Sequence, residues 1–366
     1  MTNSSSRRGL TRFDLIVILF VILLLSCIMW PAIGAMREAA RRQACINNLK
    51  RLGLAIHNFH SAQKKFPSSN DLPLLDVPSN SWVQVPLHTP ATLTGKTLHG
   101  TNYSWLARLL PHIEGGEWVG LDYVNRLAWD PCKDNPIDPI TKMPKTYNLP
   151  CHPLFWSSPI TCFKCPSFGE EDFCQANPAV GITTNPYAPG TDHGPAGLTN
   201  YVALGATHSD SLMGVETNPL AGGPDHPNGT IFPASRITLQ DLAKGGGANN
   251  TLIVCETREP TLAAWYEGST AAVFGLAGQP AFEKSKKPGS SYGVPAAGTR
   301  TTLNLGDETS NPVTYYLKSG PQGIPWLHGP SSCHPGIVNH LLGDGSVRSV
   351  QDGLSPTLYM QLITRY

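Results

Sequence analysis

The middle of the chain holds residue types that bind metals. Cys162 and Cys165 are separated by two residues, with Cys151-His152 upstream and Cys174 downstream. Thiolates and imidazoles are zinc donors, and a C-x-x-C turn presents two sulfurs to one ion. A structural zinc site usually pairs two such knuckles, and here there is one. Cys151, His152, Cys162 and Cys165 are therefore metal candidates, with disulfide, redox and free-thiol fates open beside that one. Of nine cysteines, Cys27 and Cys45 lie near the N-terminus and seven lie beyond. In an oxidising compartment three disulfides and a spare thiol would be the simplest arrangement of those seven, with the pairing unassigned.

Three further patterns suggest chemistry. His334 and Asp344 have the types of an acid–base pair. The segment 336–342 reads as a strand, Asp344-Gly345 as a two-residue turn and 347–350 as the return strand. Ten extended residues span about 33 Å, which puts the two side chains at opposite ends of one strand. The expectation is a structural hairpin over 334–350, in which either residue separately can touch a ligand. Gly289-Ser290-Ser291-Tyr292-Gly293 fits the G-x-S-x-G nucleophile pattern, which needs a strand before it and a helix after it. Its flanks, the polar 284–288 and the small-residue 294–298, both carry a proline and read as loop, which opposes a hydrolase. Asp307-Glu308 could help bind calcium but reads as a solvated loop. Phosphate-loop, dinucleotide and HExxH patterns are missing from the sequence. No catalytic residue and no cofactor are expected, and the chain does not read as an enzyme.

These residues need elements to position them, and the N-terminus supplies the clearest one. Residues 15–30 are nearly all apolar, and continued to Ile33 the run has 19 residues, about 28 Å of helix against a hydrocarbon core of about 30 Å. Arg7, Arg8 and Arg12 precede it, so the positive-inside rule keeps the N-terminus cytoplasmic and sends the body outward. Beyond Pro31 the helical pattern continues: Cys45, Leu49, Leu52, Ile56 and Phe59 recur at spacings of 4, 3, 4 and 3, one apolar stripe on one face. Pro67 ends it. The helix is expected over 10–66, with a transmembrane part at 13–33. Asp14 at the start of the span is costly in lipid. Two readings stand side by side: it sits among the headgroups near Arg12, or it pairs with a new ammonium at Leu10 after cleavage behind Gly9.

Arg8-Gly9-Leu10-Thr11-Arg12-Phe13-Asp14 resembles the prepilin leader junction, where a peptidase cuts after Gly before Phe-Thr-x-x-Glu. Gly9, Thr11 and the acid at the fifth position match; Leu10, Arg12 and the Asp at position 14 depart from the pattern. Arg37 to Arg42, Cys45, Asn47 to Lys50, Gly53-Leu54-Ala55 and His57 to His60 resemble the prepilin-like proteins, abundant in planctomycetes, that carry a large C-terminal domain of unknown function (family 1559). Phe66-Pro67, Ser104-Trp105, Cys165-Pro166-Ser167, Thr199 to Val202, Asn228-Gly229, Asn250-Thr251, Glu256 and the signature His334…Asp344-Gly345 follow in family order. The resemblance implies a pseudopilin-like fold, processing and N-methylation by a prepilin peptidase at Gly9, Leu10 and Asp14, and no established activity. Leu24-Leu25-Ser26-Cys27 also resembles a lipobox, but the apolar Ile28-Met29-Trp30 behind it opposes a lipid tether.

The rest bounds the class. The net charge of +1 gives no electrostatic footprint for nucleic acid. Charged residues are 14%, against about 25% in average globular chains, while 35 Gly and 33 Pro break the apolar runs into short pieces. Segments 104–110, 198–204, 251–255 and 336–342 read as strands, and 70–100, 180–230 and 275–325 as long loops. The expected architecture is α+β and pilin-like: a leader (1–9), a long helix (10–66) and a β-rich extracytoplasmic body (67–366) whose largely antiparallel sheet covers the stripe. The expected function is a structural or interaction protein of the inner membrane. Its body lies in the periplasm or on the cell surface, and its partners are a prepilin peptidase and like pilin-type subunits in a type II secretion or pilus-like assembly. A monomeric tethered ligand-binding module is the alternative.

Overall fold

The structure is a computed structural model that describes residues 12–69, 75–76, 81–82, 91–93, 96–98, 104–113, 159–169, 172–173, 197–208, 227–232, 235–259, 263–265, 271–277, 300–304 and 329–365, with backbone alone at 28, 30–32, 75–76, 81–82, 91–93, 96–98 and 277. Helix α1 (Arg12–Gln63) is 52 residues long and continues through Pro31. It stops three residues short of the expected end. Lys64 turns to φ 59°, and its N–H donates to the carbonyl of His60 at 2.7 Å. Phe66, fully buried, then docks its N–H on the Ile237 carbonyl at 2.8 Å.

The two halves of α1 meet different surroundings. Cys45, Leu49, Leu52, Ile56 and Phe59 are buried, together with Ala55. In contrast, the apolar side chains of residues 13 and 15–25 are exposed, Phe13 at 73%. Among the described residues no helix is long and apolar enough to cross a membrane. The expected span 13–33 contains four residues, 28 and 30–32, whose side chains lie outside the described residues.

A five-stranded sheet forms the body, in the order β11-β10-β6-β5-β7. Its members are β5 (Tyr201–Ala206), β6 (Leu252–Glu256), β7 (Ala272–Phe274), β10 (Ile337–Leu342) and β11 (Val347–Gln351). Three pairings are antiparallel and β5–β7 is parallel, so the sheet is mixed. Short hairpins pair β1 (Leu75–Asp76) with β2 (Ser81–Trp82), β3 (Ala91–Leu93) with β4 (Lys96–Leu98), and β8 (Leu276–Ala277) with β9 (Arg300–Thr301). The first two lie within 70–100, which the sequence reading assigned to a loop.

Side chains alternate between the sheet faces. Tyr201, Ala203, Val254 and Leu341 share one core with the buried stripe of α1. Val202, Leu204, Leu252 and Val338 share another with Tyr359, Met360 and Ile363, which lie on the C-terminal helix Pro356–Ile363. The sheet is therefore sandwiched between α1 and this last helix. Covering on both faces explains why every residue of β5 and β6 is buried.

Residues 104–110 are not a strand. Helix α2 (Trp105–Leu109) starts at Ser104, whose Oγ accepts from the Ala107 N–H at 3.1 Å, and a 3-10 turn (Leu110–His112) follows. The segment is buried nearly throughout, and a short run that is apolar on all sides has no period to separate helix from strand. The cap is the discriminating feature. Helix α3 (Leu239–Lys244) opens on a reciprocal capping box between Thr238 and Asp241, and Pro356–Ile363 is α4.

Candidate functional site

Where α1 leaves its exposed half, a polar cluster is built into the first core. Glu256 closes β6 and is 1% exposed. A buried carboxylate needs donors, and Glu256 has three. Ser332 Oγ donates to Oε2 at 2.7 Å, the Asn339 N–H to Oε2 at 3.1 Å, and Asn339 Nδ2 to Oε1 at 3.0 Å. Asn339 is oriented in turn by Ser349 Oγ, which donates to its Oδ1 at 2.7 Å, and Arg42 Nη2 donates to Ser349 at 3.0 Å.

His334 stands beside it, 2% exposed, in the loop before β10. Its Nδ1 lies 2.7 Å from Glu38 Oε1. A carboxylate only accepts, so Nδ1 carries the hydrogen. Nε2 faces the core, 3.8 Å from Glu256 Oε1 and 3.6 Å from Cys165 Sγ. Glu38 is steadied by Ser167 Oγ at 3.2 Å and by Arg41, one helical turn on, at 3.8 Å.

Cys165 is bonded to Cys45 of α1, with Cα atoms 5.1 Å apart. The Cys165 N–H donates to Asn200 Oδ1 at 2.9 Å, and Asn200 Nδ2 donates to the Thr257 carbonyl at 3.1 Å. Asn200 thus ties the cysteine turn to the residue after Glu256. Tyr201 hydroxyl donates to the Cys45 carbonyl at 3.4 Å. Burial, then the Glu256 charge, push that phenol well above its usual pKa and keep it neutral. Burial and Glu256 also raise the neighbouring Cys255 thiol, which makes it a poor nucleophile. The donor atoms of Cys45, Cys165, Glu256 and His334 lie within 4.8 Å of one another.

This corrects two expectations. Cys162 and Cys165 do not act as one knuckle, because Cys165 is bonded to the helix while Cys162 sits buried in the 3-10 turn Thr161–Phe163. Nor do the body cysteines pair only among themselves, since the bridge joins body to helix. Cys151, His152, Cys132, Cys174, Ser291, Asp307 and Glu308 lie outside the described residues, as do Gly9 and Leu10. Asp14 occupies the first turn of α1.

His334 and Asp344 flank β10 from its two ends. Asp344 Oδ1 accepts from the N–H and Oγ of Ser346 at 2.9 and 2.6 Å. The turn has three residues, not the two expected. The Gly345 N–H bonds the Leu342 carbonyl, the Leu342 N–H bonds the Ser346 carbonyl, and Gly345 takes φ 85°. Both ends of the hairpin touch α1. His334 meets Glu38, while Gly345 meets Gly53, where an added Cβ would lie 3.2 Å from the Gly345 Cα.

Glu38 was missed as a site residue by sequence reasoning. It falls inside the stretch 37–42, but the partners are 296 residues apart and no local spacing links them.

The profile of a family described as "Protein of unknown function (DUF1559)" matches residues 34–357, well over half of the chain. The chain belongs to that family. The matched region of this family member contains all of Glu38, Cys45, Cys165, Glu256, His334 and Gly345. No curated protein and no solved structure matches the chain.

Proposed function

We propose that this family member is a pseudopilin-like, membrane-anchored structural and interaction protein, not an enzyme. In this reading the leader is cut after Gly9 and Leu10 becomes the N-methylated terminus. The apolar half of α1 sits in the inner membrane beside like helices, and the body stands outside the cytoplasm. The observation that carries it is the division of α1: one continuous helix leaves its apolar residues 13 and 15–25 uncovered and buries Cys45 to Phe59 under the sheet. Such a helix has an apolar surface that its own body does not cover, which calls for lipid or like helices. In this reading Asp14, four residues beyond Leu10, pairs with the new ammonium and sets the register between neighbours.

Photo-crosslinking from Ile18 in intact membranes tests assembly. Crosslinks to the same chain or to other pilin-type subunits are expected, and Asp14→Ala should lower their yield while leaving insertion intact. A chain that inserts but crosslinks only to lipid would instead be a monomeric tethered binding module.

A further inference from the structure

His334 is held the way metal-ligating histidines are held. The hydrogen bond from Nδ1 to Glu38 at 2.7 Å fixes the tautomer and leaves an Nε2 lone pair turned inward. That lone pair faces two groups with no hydrogen to offer it, the bonded Cys165 sulfur at 3.6 Å and the Glu256 carboxylate at 3.8 Å. A cation between them would satisfy all three. In a tetrahedral zinc site, bonds of about 2.3 Å to sulfur and 2.0 Å to nitrogen or oxygen set donor atoms about 3.3 to 3.8 Å apart. Both measured separations are close to that range. Cys45 is the fourth donor, its Cα 5.1 Å from that of Cys165, so one ion can reach both sulfurs. The donors come from α1, the segment just after the 3-10 turn Thr161–Phe163, the end of β6 and the loop before β10.

We propose that Cys45, Cys165, His334 and Glu256 form a tetrahedral site for a divalent, zinc-like cation when the two cysteines are reduced, and that disulfide and metal are alternative clips between α1 and the body. The exchange balances with a dithiol as reductant. Its two thiols give two electrons and two protons, the Cys45–Cys165 bond breaks into two thiols, and the dithiol becomes a disulfide. The cation then displaces both protons to solvent as two sulfur–metal bonds form. Glu38 is a positioning residue that orients the imidazole.

The test uses the full chain in detergent, reduced anaerobically and titrated with cobalt(II). One equivalent should bind, with thiolate-to-cobalt charge transfer in the near ultraviolet and intense tetrahedral ligand-field bands in the visible. Cys165→Ser should abolish these bands, Glu38→Gln should weaken affinity by about 10- to 100-fold, and Cys27→Ser should leave them unchanged. X-ray absorption of the zinc-loaded wild type needs no variant, and should give two sulfurs and two lighter donors. Absence of binding by the reduced chain, bands that survive in Cys165→Ser, or a shell with four or no sulfurs would overturn the proposal.

Discussion

Glu256 accepts its three hydrogen bonds inside the core, and its loss would strand every donor around it. Glu256→Leu is expected to destabilise the fold by about 3 to 5 kcal/mol, read from urea unfolding, because Asn339 and Ser332 would remain buried without their acceptor. A loss below 1 kcal/mol would show that the cluster is not structural. His340 gives a pH prediction. Its Nδ1–H donates to the Val338 carbonyl at 3.0 Å, so Nε2 accepts from the Tyr359 hydroxyl at 2.8 Å, and the ring is neutral. Burial lowers its pKa from 6.5 to about 4. The unfolded chain therefore binds a proton before the folded chain does. The His340 contribution is fully present above pH 6.5 and is lost as pH falls toward 4, by about 3 kcal/mol. Chemical denaturation at stepped pH should show this slope, and His340→Gln should flatten it.

At the scale of elements, the fastenings of α1 to the body include the Glu38–His334 bond, the Cys45–Cys165 bridge and the Gly53–Gly345 approach. The bridge closes a separation of 120 residues, so its reduction in a metal-free buffer should cost about 2 to 5 kcal/mol of stability. Gly53→Ala should improve an isolated helix by about 1 kcal/mol. Here it should destabilise by about 1 to 3 kcal/mol instead, because the new Cβ meets Leu341 Cδ1 at 2.9 Å and the Gly345 backbone. Thermal melts distinguish the two signs. Elements with a repeating period were legible in the sequence. The stripe Cys45 to Phe59 alternates steps of four and three, and the same five residues are buried. The hairpin β10–β11 announced itself through Asp344-Gly345 and its flanking apolar runs. Helix α2 was not legible as a helix, because Trp105 to Leu109 are apolar or buried on nearly every side and only the Ser104 cap marks the start. The covering of the second sheet face by α4 left no local trace either. The cluster was legible only in fragments: Cys165, Glu256 and His334 stood out singly, but sequence carries no distance between residues that tertiary folding brings together.

In the molecule as a whole, one helix has an exposed apolar half and a second half onto which the body is clipped firmly. Under the proposed function a single element would carry both anchorage and fold, and any pull on the anchor would reach the sheet through Glu38, Cys45 and Gly53. Asp14→Ala is expected to reduce self-crosslinking without changing the melting of the body, because residue 14 lies far up the helix from the first buried turn at Cys45. The most direct measurement is mass spectrometry of the mature N-terminus from native membranes. The account predicts a first peptide that begins at N-methylated Leu10. A chain that retains residues 1–9, or one that begins at a lipidated Cys27, would contradict it.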